Sequence, residues 1–378
     1  MEISKSFKLN QVNLYVYPYK GGAKLKITKT LKISIALLTI LLLGNLVGCT
    51  TKKTETTVTA TIAEKNVNIR VGYFPNITHS QALVGKDQGS FQKAVGASNP
   101  IDWKLFNAGP AEIEALFAGA IDIGYIGPGP AINGYAKSKG DLQIIAGATD
   151  AGAIFVSRKG LVIKNLKDLS GKRIAVPQFG NTQDLTLRKI LSDNKLKDTT
   201  KGGTVEVRQA ENADILTLLN KGDIDAALVP EPWGSRLIKE AGANVILDYK
   251  DLLRKGNYTT AVVVIRTEFL KDHPLIVENF LRTHVELTDY INKNKDKAKE
   301  IVNKQITELT QKAISKDVLD AAFNRLTVTN NPEKDSVQDF VNLSVQEGFL
   351  KTKPDTKTLF NLTLLNKILK EKGQSQIK

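Results

Sequence analysis

The chain has 378 residues, 42% of them hydrophobic and 24% charged, which is enough apolar mass for one large or two medium domains and excludes a disordered tail or a disulfide-stapled miniature. Its 12 prolines and 28 glycines are scattered without period, and the single cysteine, Cys49, excludes a disulfide framework or a cysteine-rich zinc module. The net charge is +14, but seven lysines and one acid fall in residues 1–48; the remainder is a Lys-rich solvated surface without the Arg clusters or aromatic-interleaved basic strands of a nucleic-acid binder.

In chain order, Lys24 to Lys32 is basic and Ile33 to Leu43 (ISIALLTILLL) is apolar. That run is shorter than the roughly 20 residues needed to span a bilayer. Basic, then apolar, then small residues form an export signal over residues 1–48. The run leads to Leu46-Val47-Gly48-Cys49, which resembles the lipobox of bacterial lipoproteins. The resemblance implies that Cys49 is diacylated and holds the protein to the extracytoplasmic face of the cell membrane; two acyl chains give stable anchoring where one does not. The basic, Tyr-containing stretch before Lys24 predicts that translation begins near Leu25. Residues 49–66, rich in Thr and Lys, predict a flexible tether.

From Val67, short β-branched runs alternate with helical patterns. Strands are expected over Val67–Tyr73, Asp102–Asn107, Ile121–Ile126 and Leu142–Ala146, and helices over Thr78–Phe91, Pro110–Phe117 and Pro130–Lys137. The same order recurs with strands at Lys172–Val176, Val205–Gln209 and Asp225–Val229, and helices at Thr182–Asp193, Asn212–Asn220 and from Trp233. This alternation predicts an α/β fold with a largely parallel sheet. After Ala261–Ile265 the pattern turns helical, with helices from Pro274, Ser315, Asp335 and Thr358. The expected organisation is a first lobe over residues 67–150 and 259–378 and a second over residues 151–258, hinged near Thr149-Asp150 and Thr259-Thr260.

The segment Leu116 to Asp122 and the segment Leu219 to Asp225 both read L-x-x-G-x-I-D. In each, the Leu is the last core anchor of a helix, the Gly ends it in the left-handed conformation, the Ile starts a buried strand and the Asp caps the turn. Two similar lobes, or generic helix-to-strand turns, would both produce it.

There is no nucleophile elbow, HExxH or phosphate loop, and Gly127-Pro-Gly129-Pro lacks the GxGxxG spacing. Three histidines leave little for a metal centre, so neither metal nor cofactor is expected and a non-enzymatic role is preferred.

Three segments, Gly109–Gly124, Leu166–Val176 and Gly222–Trp233, together resemble substrate-binding proteins of ABC importers in the aliphatic-sulfonate, taurine and nitrate family. The resemblance covers roughly Val67 to Leu270. It implies a two-lobe, periplasmic-binding-protein-like (type II) fold with two crossing hinge strands, the C-terminal helices packed on lobe 1, and a small anion or zwitterion in the cleft. The implied partners are an ABC permease with its ATPase, with the binding protein itself a monomer. The run Phe74 to His79 also resembles proteins that handle thiamine-pyrimidine precursors, which keeps a pyrimidine-like ligand open. An extracellular enzyme using His79 and Glu231, or a sensor on the same scaffold, are the alternatives.

Ligands of open α/β sheets sit where strands end and helices begin. The candidate residues are therefore Asn76 and His79 after the first strand, Gly109 after the second, and Gly127 and Gly129 after the third, where the amides of Gly129 and Ala131 would meet an anion. On the other lobe they are Gly180, Asn181 and Thr182, then Glu231 and Trp233. Glu231 would hold the cationic end of a zwitterion, or else pair with Arg236; Trp233 would wall the ligand or fill the hinge-side core.

Overall fold

The structure, a computed structural model, describes Glu64 and residues 66–378. The expected export signal over residues 1–48, Cys49, and the expected tether apart from Glu64 and Asn66 lie outside the described residues. In chain order the strands are β1 (Ile69–Tyr73), β2 (Ile101–Leu105), β3 (Ile123–Ile126), β4 (Leu142–Ala151), β5 (Ala153–Ser157), β6 (Arg173–Val176), β7 (Glu206–Gln209), β8 (Ala226–Pro230), β9 (Asn244–Leu247), β10 (Thr259–Arg266) and β11 (Leu326–Val328). They form two mixed sheets, ordered β11-β4-β10-β3-β1-β2 in lobe 1 and β7-β6-β8-β5-β9 in lobe 2. In each lobe three strands run parallel, and an antiparallel strand that enters from a crossing lies beside them: β10 against β3, and β5 against β8. β8 and Ala261–Ile265 of β10 are buried and read as continuous apolar runs, as strands covered on both faces do.

The chain crosses between lobes twice. The first crossing is tight: Ala151 and Gly152 both have positive φ, 58° and 77°, between β4 and β5. The second enters β10 through Tyr258, whose carbonyl accepts the Ala151 N–H at 2.7 Å, so the two crossings are tied together. β10 pairs with β4 through register shifts around Ala261 and Val263, which bend the joint.

The repeated L-x-x-G-x-I-D does end helices on left-handed glycines, Gly119 (φ 66°) and Gly222 (φ 73°). Its aspartates do more than cap a turn. Asp122 accepts the backbone N–H and the guanidinium of Arg70 in β1, and Asp225 does the same for Arg173 in β6. Each arginine also reaches the carbonyl of the repeat's glycine. One clasp thus joins the start of the first strand to the start of the third in both lobes.

The expected helix Thr78–Phe91 is three pieces: a 3-10 turn at Ile77–His79, then Ser80–Gln88 and Ser90–Val95, broken at Gly89 (φ 63°). The C-terminal helices Pro274–Lys293, Lys295–Thr310 and Thr363–Glu371 pack on lobe 1. Two others also reach lobe 2. Lys316–Phe323 touches the lobe 2 helix Trp233–Ala241, and Lys334–Gln346 lies across Pro128–Lys137 of lobe 1 and Thr182–Asp193 of lobe 2. Beyond it, Phe349 covers Gly180 and Lys201 bonds Glu347.

Candidate ligand-binding cleft

Six strand-to-helix junctions, after β1, β2, β3, β6, β7 and β8, and the start of β10 converge between the sheets. The cavity there is lined from lobe 1 by Phe74, Asn76, Thr78, His79, Asn107, Ala108, Gly109, Gly127, Pro130 and Thr260, and from lobe 2 by Pro177, Asn181, Thr182, Gln183, Asn212 and Pro230. Its walls carry no Lys, Arg, Asp or Glu. The cavity is narrow, about 20 Å³ in volume. The lobes are therefore closed on a narrow space.

In lobe 2, Asn181 caps the helix Thr182–Asp193, its side chain accepting the Asp184 N–H at 2.8 Å. The amides of Thr182 and Gln183, in the first turn, donate to no acceptor among the described residues. Helix starts of this kind favour anions by about 0.3–1 kcal/mol each, more when partly buried. The Thr182 hydroxyl is buried and has no hydrogen-bond partner. Gly127 faces it from lobe 1: a Cβ there would lie 2.2 Å from Thr182 Oγ1, so glycine is what lets this hydroxyl into the cleft.

In lobe 1, the Thr260 hydroxyl is likewise buried and unpartnered. His79 stacks on Phe74 with ring centroids 4.4 Å apart, and its Nδ1 accepts the Phe74 N–H at 3.2 Å. Burial lowers its pKa to about 3. The imidazole is thus neutral, with its proton on Nε2, a donor for the cavity. Asn76 Oδ1 accepts from Trp233 Nε1 at 2.7 Å, which leaves its amide N–H groups for the cleft.

Three hydrogen bonds cross the closed cleft. Besides Trp233 to Asn76, the Ala111 N–H donates to Gln178 Oε1 (3.3 Å) and the Asn212 N–H to Asn107 Oδ1 (3.4 Å).

Of the residues singled out in the sequence, the structure brings Asn76, His79, Gly109, Gly127, Asn181 and Thr182 to the cavity. Four stand elsewhere. Gly129 packs against lobe 2, where a Cβ would meet Leu185 Cδ1 at 2.7 Å; Ala131 spends its amide on Gly127 O inside the helix. Gly180 donates to Asp184 Oδ2 at 2.7 Å, so its N–H is committed. Glu231 is wholly buried, accepts from the Ser235 N–H and hydroxyl, and pairs with Arg325 rather than Arg236. Burial raises its pKa, with Ser235 and Arg325 opposing. Glu231 does not line the cavity that His79 lines, so the structure does not bring the two together there. Trp233 supports Asn76 from behind the wall.

Sequence reasoning missed Thr260 and Asn212 as cleft residues. Asn212 starts a helix after β7 just as Thr182 does after β6, so the strand-to-helix rule would have found it. Thr260 was assigned to the hinge alone.

Comparison with known proteins places this geometry. Residues 63–306, more than half of the chain, match the model of the NMT1-like family. The taurine-binding periplasmic protein of Escherichia coli (strain K12) is 30% identical over 224 residues, 58% of this chain and 65% of that protein. The chain thus spans a little under two thirds of that relative's length. A putative aliphatic sulfonates-binding protein of Bacillus subtilis (strain 168) is 25% identical over 80% of this chain and 88% of its own. Among solved structures, the alkanesulfonate-binding protein SsuA from Xanthomonas axonopodis pv. citri, bound to MOPS, superposes with a TM-score of 0.66 at 18% identity, covering 79% of this chain and 99% of that one. The nitrate-binding protein NrtA from Synechocystis PCC 6803 does so with a TM-score of 0.63 at 14% identity, covering 81% of this chain and 89% of that one. At such identities the likeness is one of fold. The family match over residues 63–306 is of another kind: this chain belongs to the NMT1-like family.

Proposed function

We propose that the chain is the extracytoplasmic solute-binding component of an ABC importer, capturing a small sulfonate-type or related anion between its lobes and delivering it to a membrane permease with its ATPase. It works as a monomer held to the membrane through Cys49. The observation that carries the reading is a pair of buried, unpartnered hydroxyls, Thr182 from lobe 2 and Thr260 from lobe 1, in a cavity walled by uncharged groups and helix starts. Buried polar groups are normally paired, so two orphans facing one cavity point to a ligand that completes them. An oxyanion accepts from hydroxyls, from the Thr182 and Gln183 amides and from His79 Nε2, and needs no cationic side chain. With Glu231 outside the cavity, an ammonium group finds no carboxylate there, so simple sulfonates are favoured over taurine. The relatives named for taurine, aliphatic sulfonates and nitrate support the class.

Calorimetry with methanesulfonate, ethanesulfonate, taurine, nitrate and an aminopyrimidine tests the reading. Micromolar binding of a sulfonate, about −8 kcal/mol, is the expected result. Heat from none of them, with no shift in melting temperature, would discard it.

A further inference from the structure

Arg325 lies outside the cavity, between the helix Lys316–Phe323 and β11. Its backbone carbonyl accepts the Gly152 N–H at 2.9 Å, at the first crossing. Its guanidinium points into lobe 2. There Nε donates to Asp248 Oδ1 at 2.8 Å, and Nη1 donates to Ser235 Oγ at 3.0 Å and lies 3.4 Å from Glu231 Oε1. Nη1 also bonds Ala321 O at 3.2 Å, which holds the side chain to its own segment.

The groups it grips lead to the cleft. Glu231, fully buried, accepts the Ser235 N–H and hydroxyl, both at 2.9 Å, and so fixes the first turn of the helix Trp233–Ala241. That turn carries Trp233, whose indole donates across the lobes to Asn76 in the cavity wall. The path from Arg325 through Glu231 and the helix start to Asn76 is one run of charged and polar contacts on a rigid element. A carboxylate removed from water needs its cation and its hydrogen bonds together. The same guanidinium therefore stabilises lobe 2 internally and ties it to the lobe 1 segment that leads into β11.

We propose that Arg325 is a positioning residue: without touching the ligand, it sets Trp233 against Asn76 and thereby fixes how much of the ligand-free chain stands closed. Affinity then follows the fraction of molecules in the binding-competent state. The choice of ligand probe rests on the proposed function; the ligand-free measurement does not.

The chain has two tryptophans, Trp103 and Trp233, so Trp103→Phe in the full chain leaves Trp233 as the reporter. In this background Arg325→Gln is expected to shift ligand-free Trp233 emission to the red and to weaken ethanesulfonate binding about tenfold, or about 1.4 kcal/mol. Adding Glu231→Gln removes the unpaired buried carboxylate, and the melting temperature recovers. The red shift and the affinity loss persist, because the tie to lobe 2 is still missing. Arg325→Lys, with its charge but no planar fork, falls between. Parental emission in Arg325→Gln overturns the proposal, as does emission recovering in step with melting temperature in the double variant, which marks a purely structural role. Should Arg325→Gln fail to fold, the double variant carries the test by the same criterion of emission. If the parent binds no sulfonate, the proposed function falls, and Arg325 is judged on ligand-free emission.

Discussion

The two lobes carry the same clasp under different conditions. In lobe 1, Asp122 is wholly buried and holds two arginines, Arg70 at 2.6 Å and Arg266 at 2.8 Å. In lobe 2, the Asp225 side chain is 10% exposed and holds Arg173 at 3.0 Å and, more loosely, Arg158 at 3.3 Å. Arg266 ends β10 and Arg158 follows β5, so each clasp also secures the strand that enters its lobe from a crossing. The difference teaches that one repeat can build the same fastening, strand from the crossing included, with its carboxylate sealed from water in one lobe and partly wetted in the other.

The largest expected effect tests that contrast. Asp122→Ala leaves two arginines facing a buried gap and should cost about 3–5 kcal/mol in urea unfolding. Asp225→Ala, whose partners stay partly in water, should cost about half as much; equal losses would abolish the contrast. The acid limb sharpens it. Burial would raise the Asp225 pKa, but hydrogen bonds from Arg173 and Arg158 outweigh it and hold the group at about 2. Asp225 therefore adds stability that is present above about pH 4 and is lost as pH falls toward 2. In Asp225→Asn that part of the acid-unfolding curve should vanish.

Next come the two hydroxyls, one from each lobe. Thr182→Val and Thr260→Val should each weaken anion binding by about 1.5–3 kcal/mol, the worth of a hydrogen bond to a charged group, with melting temperature unchanged. Neither hydroxyl has a protein partner to lose. A loss confined to one variant would mean that a single lobe holds the ligand. Trp233→Phe removes one bond across the cleft and should cost about 1 kcal/mol in affinity.

The smallest effect concerns charge inside lobe 1. Burial lowers the pKa of His79 to about 3 and of His284 to about 4, so both stay neutral in the fold. The unfolded chain protonates them below about 6.5, and stability is lost as pH falls through that window. Glu112 is the converse: burial raises its pKa well above 4.5, and both its oxygens are unpartnered. It keeps its proton where the unfolded chain gives one up, so stability declines as pH rises above about 4.5. Glu112→Gln should flatten melting temperature against pH above about 4.5 and leave the acid side, set by the histidines and Asp225, as it was.

Much of this architecture was legible. Alternating strands and helices, the repeated L-x-x-G-x-I-D and the junctions at Asn76, Gly109, Gly127 and Thr182 follow from local spacing. The clasp arginines were missed because the contact is distant in sequence, although both pairs are 52 residues apart. Superposing the repeats would have aligned Arg70 with Arg173. Glu231 misled because its position beside Trp233 suggests the cleft, whereas its partner Arg325 lies 94 residues on. Local chemistry marks where helices start; it does not mark which polar groups a distant segment has already satisfied.

The helix Lys334–Gln346 rests on both lobes, and the side chains of Lys201 and Glu347 and the ring of Phe349 continue that support past its end. Two strands by themselves act as a ribbon, free to shear and to screw as well as to bend. A brace set off their line removes those extra freedoms. Any parting of the lobes must then strain the contacts this helix makes on one of them.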